Sequence, residues 1–267
     1  MPKQGSGLIS QPLGLRMTWF YTVPLMNNGK NLDKSAQMTI DEYSLTAILY
    51  DNCLTPLLKA FRTDIRTLIQ HRGHRRVLDI CCGTGDQLRL LESGTLELAG
   101  IDNSEAMLAR ARKNCGEHTT LELADATQLD FPAGYFDCAI LSFALHDKHP
   151  TQRDLIFSNA RKVVAQGGSL IVTDYSKDPS GFKGFLLGDI LIPVVERLAG
   201  RDHYLNYLSW QRNGGIEAFL QQRSDSVDII SRRFGGSVFC CAVAIDDDIK
   251  TYQKHLALLH KSFSPSE

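Results

Sequence analysis

Residues 76–85, Arg-Val-Leu-Asp-Ile-Cys-Cys-Gly-Thr-Gly, restrict the fold more than any other stretch of this 267-residue chain. Val77, Leu78 and Ile80 form a short apolar run rich in strand formers, and glycines follow at once. The run therefore predicts a buried strand that breaks into a tight turn. Leu88, Leu90 and Leu91 then resume at helical spacing. Strand, glycine turn and helix start, in that order, put backbone amides where they can face a ligand held close over the turn.

The position of the glycines separates two kinds of nucleotide site. A dinucleotide fingerprint needs Gly-x-Gly-x-x-Gly; counted from Gly83, the chain supplies Gly85 and then Leu88. What stands here instead is an acid at the strand end, Asp79, followed by Cys81-Cys82-Gly83-Thr84-Gly85. About 20 residues on, one βαβ step later, residues 98–102 read as a second strand ending in Asp102. Asn103 or Ser104 can cap the helix that follows, which carries Ala106, Met107 and Ala109. Residues 121–126 read as a third strand ending in Asp125. An acid after a strand is often only a turn or cap residue, so the weight lies in the order and spacing of all three.

This pattern resembles motif I of the class I S-adenosylmethionine-dependent methyltransferases, commonly Asp/Glu-x-Gly-x-Gly-x-Gly, with Cys81 standing at the first glycine. The resemblance implies an α/β fold: a Rossmann-like, doubly wound seven-stranded sheet, mostly parallel, with an antiparallel C-terminal hairpin strand and a helical cap. It implies S-adenosyl-L-methionine as cofactor, with Asp79, Cys81, Gly83, Thr84 and Gly85 forming the turn beneath it. Asp102 would accept the ribose hydroxyls, with Asn103 and Met107 opening the next helix. Asp125 and Ala126 would meet the adenine, and Ser142 would stand beside the methyl group.

The rest of the chain reads around that centre. Residues 1–38 are rich in Gly, Ser, Gln, Asn and Pro and predict a poorly ordered arm. Residues 39–70 have helical periodicity broken at Pro56 and predict the helical cap, in which the resemblance lets Tyr50 close over the sulfonium end of the cofactor. The methyltransferase domain is expected to span residues 39–248. Residues 136–143 are compactly apolar, as in a strand buried on both faces, and residues 154–164 form an amphipathic helix before Gly167-Gly168 and a fifth strand. Residues 178–222 are expected to be a lid insertion. Its stretch 181–198 alternates glycine with dense apolar residues and admits three readings: core packing, a lid over an apolar substrate, or peripheral contact with a membrane. Two extended runs around Gly235-Gly236 predict the hairpin, and residues 249–267 a tail helix.

Composition narrows the function further. The net charge is −1 and no basic stripe with interleaved aromatics appears, so a small molecule is expected as partner and nucleic acid is not. The local cluster Arg72 to Arg76 reads as a turn before a strand. Seven cysteines without zinc spacing predict no metal site, and reduced thiols fit a cytoplasmic location.

Within the superfamily, Tyr50-Asp51, Gly83-Thr84-Gly85-Asp86, Phe136-Asp137 and Ser142-Phe143 look most like the ubiquinone/menaquinone biosynthesis C-methyltransferases. That family usually carries Ser-Phe-Gly-Leu/Ile-Arg-Asn after its fourth strand; here Ala144-Leu145-His146-Asp147 follow Ser142-Phe143. The reading that results is methyl transfer to a small apolar or ring-containing acceptor, quinone-like, phenolic, lipid-like or amine. Asp86 is the polar substrate-side match, and His146, which titrates near neutrality, is the candidate base. Two alternatives are a non-catalytic protein that binds the same cofactor and a nicotinamide-dependent oxidoreductase.

Overall fold

The computed structural model describes residues 55–245 except Asp178 and Asp225. The expected N-terminal arm, Tyr50 and the tail helix lie outside the described residues. Seven strands make one sheet: β1 (Arg76–Ile80), β2 (Glu97–Asp102), β3 (Thr119–Leu123), β4 (Phe136–Ser142), β5 (Val164–Tyr175), β6 (Val227–Arg233) and β7 (Val238–Ala244). Their order is β3-β2-β1-β4-β5-β7-β6. The first five strands pair in parallel, and β7 inserts antiparallel between β5 and β6. The doubly wound sheet with its antiparallel hairpin is therefore the one the resemblance implies.

The centre of the sheet explains why its strands read as unbroken apolar runs. Val77, Leu78 and Ile80 of β1 and Cys138, Ala139, Ile140 and Leu141 of β4 are fully buried, because helices cover both faces. Burial also pushes the thiols of Cys138, Cys240 and Cys241 well above their usual range, so these cysteines act as small apolar core residues.

Helix α1 (Thr55–His71) packs Phe61, Ile65 and Ile69, four residues apart, into this core. It is followed by α2 (Asp86–Leu91), α3 (Glu105–Asn114) and α4 (Pro150–Val163). Ser104 is the N-cap of α3, its hydroxyl accepting from the Met107 amide at 3.3 Å. The basic cluster is drawn into pairs: Arg72 Nη2 lies 2.6 Å from Asp228 and Arg76 Nη2 lies 3.2 Å from Asp137. Those contacts brace the edge of the sheet away from the glycine turn.

After β5 come α5 (Gly181–Gly184), a π-helical turn (Phe185–Leu191), α6 (Ile192–Leu198), α7 (Arg201–Arg212) and α8 (Gly215–Gln221). Plain core packing does not describe residues 181–198: Phe182, Phe185, Leu186, Ile190, Val194 and Leu198 are exposed. The π-helical turn changes the winding there, so the apolar residues do not form one stripe. In α6 the buried position belongs to Glu196.

Candidate active site

In a doubly wound sheet the ligand crevice opens where strand order reverses, beyond the carboxyl ends of the strands. Here that point lies between β1 and β4, and a cleft of about 190 Å³ opens there. Asp79, Cys81, Gly83 and Thr84 line one side; Ser142 and Phe143 from the end of β4, with Thr173 of β5, line another. Helix α1 contributes Leu58, Phe61, Arg62 and Ile65, while Asp86, Gln87 and Met107 complete the wall.

The turn after β1 is built from left-handed backbone. Gly83 and Gly85 have φ of 54° and 75°, as glycine allows, and Cys81 adopts φ 60° despite its side chain. Cys81 is thus strained at the position where the motif usually places glycine. Phe143 is likewise left-handed, at φ 55°. Asp102 ties the second strand to this turn: its Oδ2 accepts the Gly83 amide at 2.9 Å and its Oδ1 the Ser104 amide at 2.9 Å. Asp125, beyond β3, accepts both the amide and the hydroxyl of Thr127 at 2.8 Å through Oδ1. The three predicted acids therefore stand at the ends of adjacent strands. Asp79 lines the cleft; Asp102, Asn103, Asp125, Ala126 and Gly85 do not.

Two features leave room for a cationic ligand that carries a nucleoside. A Cβ at Gly83 would meet nothing within 4 Å, so the backbone there is open to close approach. Gln87 is buried and donates to the Arg62 carbonyl at 3.3 Å, yet its Oε1 has no hydrogen-bond partner among the described residues. An orphaned acceptor in a cleft wants a donor from the ligand. Beside it, burial pushes the Asp79 carboxyl up to about 7, with Arg62 opposing and Asp102 adding to the shift. A positive charge placed there would draw the carboxylate back to its ionised form.

A family model described as a methyltransferase domain matches residues 77–168, the stretch from β1 to the start of β5. The chain carries a class I S-adenosylmethionine-dependent methyltransferase domain. S-adenosyl-L-methionine is its methyl donor. This methyltransferase is 28% identical over 160 residues to the demethylmenaquinone methyltransferase of Beutenbergia cavernae, covering 57% of this chain and 65% of that one. It is 29% identical over 194 residues to the ubiquinone/menaquinone biosynthesis C-methyltransferase of Pseudomonas paraeruginosa, covering 68% and 74%. In fold it is similar to an O-methyltransferase family protein from Burkholderia thailandensis, with a TM-score of 0.54 at 15% identity, over 80% of this chain and 62% of that one.

The structure does not bring His146 to the methyltransferase cleft. Its ring is buried, with Nδ1 2.8 Å from Asp174 Oδ1 and Nε2 3.4 Å from Glu196 Oε1. Burial disfavours the charged ring, but the two carboxylates outweigh it and hold the His146 pKa well above its usual value. Both ring nitrogens thus face carboxylate oxygens. The sequence reading places this residue in the cleft as a base; the structure places it outside the cleft lining, between two carboxylates. Asp86 does line the cleft, with Arg62 Nη1 3.1 Å and Arg89 Nη2 3.5 Å away.

Three wall residues escape a reading by motif. Arg62, Gln87 and Thr173 lie on α1, α2 and β5 and meet only in the folded chain. A faint signal existed for Gln87, a polar residue among the leucines of a short helix.

Proposed function

We propose that this methyltransferase methylates a ring carbon of a small, apolar, hydroxyl-bearing acceptor of the quinol type. The observation that carries the reading is the character of the wall facing the glycine turn. Leu58, Phe61, Ile65 and Phe143 supply an apolar surface, and Ser142, Thr173 and Asp86 are the polar side chains at hand for an oxygen substituent. A flat ring with one or two hydroxyls matches that division better than a charged amine. The quinone-methylating activities for which the two sequence relatives are named support the same acceptor class.

The bound donor supplies a methyl already activated on a sulfonium, so the chain's task is placement and charge control. Asp79 and the Gln87 oxygen are assigned to its positive end, Asp102 to the ribose hydroxyls and Asp125 to the adenine. In such a transfer the ring carbon would give an electron pair to the methyl, the carbon–sulfur pair would stay on sulfur, and the displaced ring proton would pass to water. Asp86 is assigned to the acceptor hydroxyl, accepting its hydrogen bond and raising electron density in the ring. The exposed apolar residues of 181–198 support peripheral contact with a membrane that holds such an acceptor. No helix among the described residues is long and apolar enough to cross one.

The test is calorimetric titration with S-adenosylmethionine followed by labelled methyl transfer to panels of demethylated quinols, phenols and amines. Label on a ring carbon of the quinols is the expected result. Binding without turnover on any panel would make the protein a non-catalytic cofactor binder, and preferential labelling of amines would discard the quinol assignment.

A further inference from the structure

His146 is costly to explain as mere packing. It is fully enclosed, yet it faces carboxylates from two separate elements: Asp174 near the end of β5 and Glu196 of α6. Asp174 also accepts the amides of Leu145 and His146, at 3.1 and 3.3 Å, and that of Tyr175 at 2.7 Å. Glu196 accepts the Tyr175 hydroxyl at 3.0 Å. The His146 ring centre lies 4.5 Å from that of Tyr175, which in turn lies 5.5 Å from Phe143 in the cleft wall. A buried charge is tolerated only when paired and hydrogen-bonded on all sides, and removing one partner strands the others.

The other end of the 181–198 segment is tied down differently. The backbones at Gly184 and Gly235 pack so closely that a Cβ at Gly184 would stand 2.8 Å from the Gly235 carbonyl. Ser237 Oγ donates to the Gly184 carbonyl at 3.4 Å. Next to Gly235, Phe234 meets Phe61 of the cleft wall at 5.8 Å between ring centres. Both ends of the segment are thus one side chain removed from the cleft, one through Phe234 and Phe61, the other through Tyr175 and Phe143. Between the two anchors lies the exposed apolar π-helical turn.

We propose that His146 is a positioning residue, a charged cross-link between β5 and α6 that holds residues 181–198 as a cover over the acceptor side and sets the place of Phe143. The inference rests on reading that side as the acceptor's. Deprotonating the ring removes a donor from one carboxylate and leaves two anions facing each other, so the cover loosens. The sign follows: the cross-link is complete at and below neutral pH and is lost as pH rises through the raised value of the folded state. The other charged groups around it are Asp147, 2.6 Å from Lys148 and 3.5 Å from His203, and Arg153, which donates to the His146 carbonyl at 3.1 Å. Tyr207 packs on Tyr175 from α7, and burial pushes its phenol well above the usual range. It therefore stays neutral through this window.

The experiment compares hydrogen-exchange protection of residues 185–198 in the wild-type chain, His146→Gln and Glu196→Gln. Protection in that segment is expected to fall about tenfold or more in both variants, and in the wild type on raising pH from 7 to about 10 after correction for intrinsic exchange. Donor affinity by calorimetry should change less than about threefold, whereas KM for the acceptor should rise more than kcat falls. Glu196→Gln keeps the oxygen that Tyr175 uses, so it gives an answer even if His146→Gln does not fold. Unchanged protection in Glu196→Gln overturns the cross-link. Protection lost with no acceptor methylated by any protein leaves the cross-link standing and removes the acceptor reading instead.

Discussion

On the β1–β3 side, the acids proposed to hold the donor are fixed through backbone: Asp102 takes the amides of Gly83 and Ser104, and Asp125 caps its own turn at Thr127. On the β4–β5 side they are held by buried charged side chains, His146 between Asp174 and Glu196 and Arg153 beneath the same loop. The donor side can therefore be encoded by a short local string, since a turn and a capping acid need few residues. The side proposed for the acceptor depends on pairs far apart in sequence, 28 residues from His146 to Asp174 and, from Arg153 to the Asn206 carbonyl, 53. A site built this way can change its acceptor by exchanging side chains without disturbing how the donor is bound.

The largest expected effect comes from Asp102→Ala, which attacks the backbone-held side at its central knot. Two amides lose their acceptor, so stability should fall by about 2–3 kcal/mol, and donor affinity by one to a few kcal/mol, roughly 10- to 100-fold. Chemical denaturation and calorimetry measure the two separately. Unchanged donor affinity would remove Asp102 from the ribose and undo the contrast between the sides.

Asp79→Asn comes next, because it alters charge without altering shape. The folded Asp79 carboxyl sits at about 7 against 3.8 for the free group, chiefly through burial. Between those values the folded chain holds the proton that the unfolded chain has lost, so this group's contribution to stability declines as pH rises through that window and levels off above it. The variant has no such dependence. Its stability relative to wild type should improve by about 2–4 kcal/mol between pH 4 and pH 8. Donor binding to the wild type near pH 6.5 should release a proton, seen as a buffer-dependent heat, and the variant should release none. Equal heats in all buffers for the wild type would show that Asp79 does not face the donor's positive end.

The same division between the sides decides what a sequence reader can see. The individual strands, the hairpin's glycine turn and the acids at Asp79, Asp102 and Asp125 follow from local patterns, apolar runs, glycine turns and regular spacing, and the sheet that joins them from the family resemblance those patterns carry. His146 illustrates the opposite. Its place after β4 suggested a base in the cleft, since that strand end does reach the site through Ser142 and Phe143. What local pattern cannot reveal is that Phe143 takes a left-handed turn and the loop then dives inward, to meet an acid of β5 and another of α6. The apolar stretch 181–198 misleads for a related reason: its composition matches a buried helix, but a π-helical turn breaks the period that burial needs. Arg62 gave no signal, and Gln87 only a faint one, because a polar residue on an amphipathic helix looks the same whether it faces solvent or a cleft.

The smallest effect probes the turn itself, where two neighbouring cysteines ought to respond differently. Cys81 holds φ 60°, a conformation that costs an ordinary residue about 1–2 kcal/mol. Cys81→Gly removes that strain and gives back part of it as extra freedom in the unfolded chain and as lost contact with the core, for a net change between zero and a stabilisation of about 0.5 kcal/mol. Cys82 has no such strain, and its side chain packs on the core, with its sulfur 3.0 Å from where a Cβ on Gly100 would stand. Cys82→Gly should therefore destabilise, by about 1–2 kcal/mol, through lost contacts and added chain entropy. Paired melting curves decide the matter. If both substitutions destabilise alike, the left-handed backbone at Cys81 is not under strain, and the residue is there for what its sulfur touches in the cleft; a loss at Cys82 alone means that the turn would take a glycine at Cys81, as its shape demands.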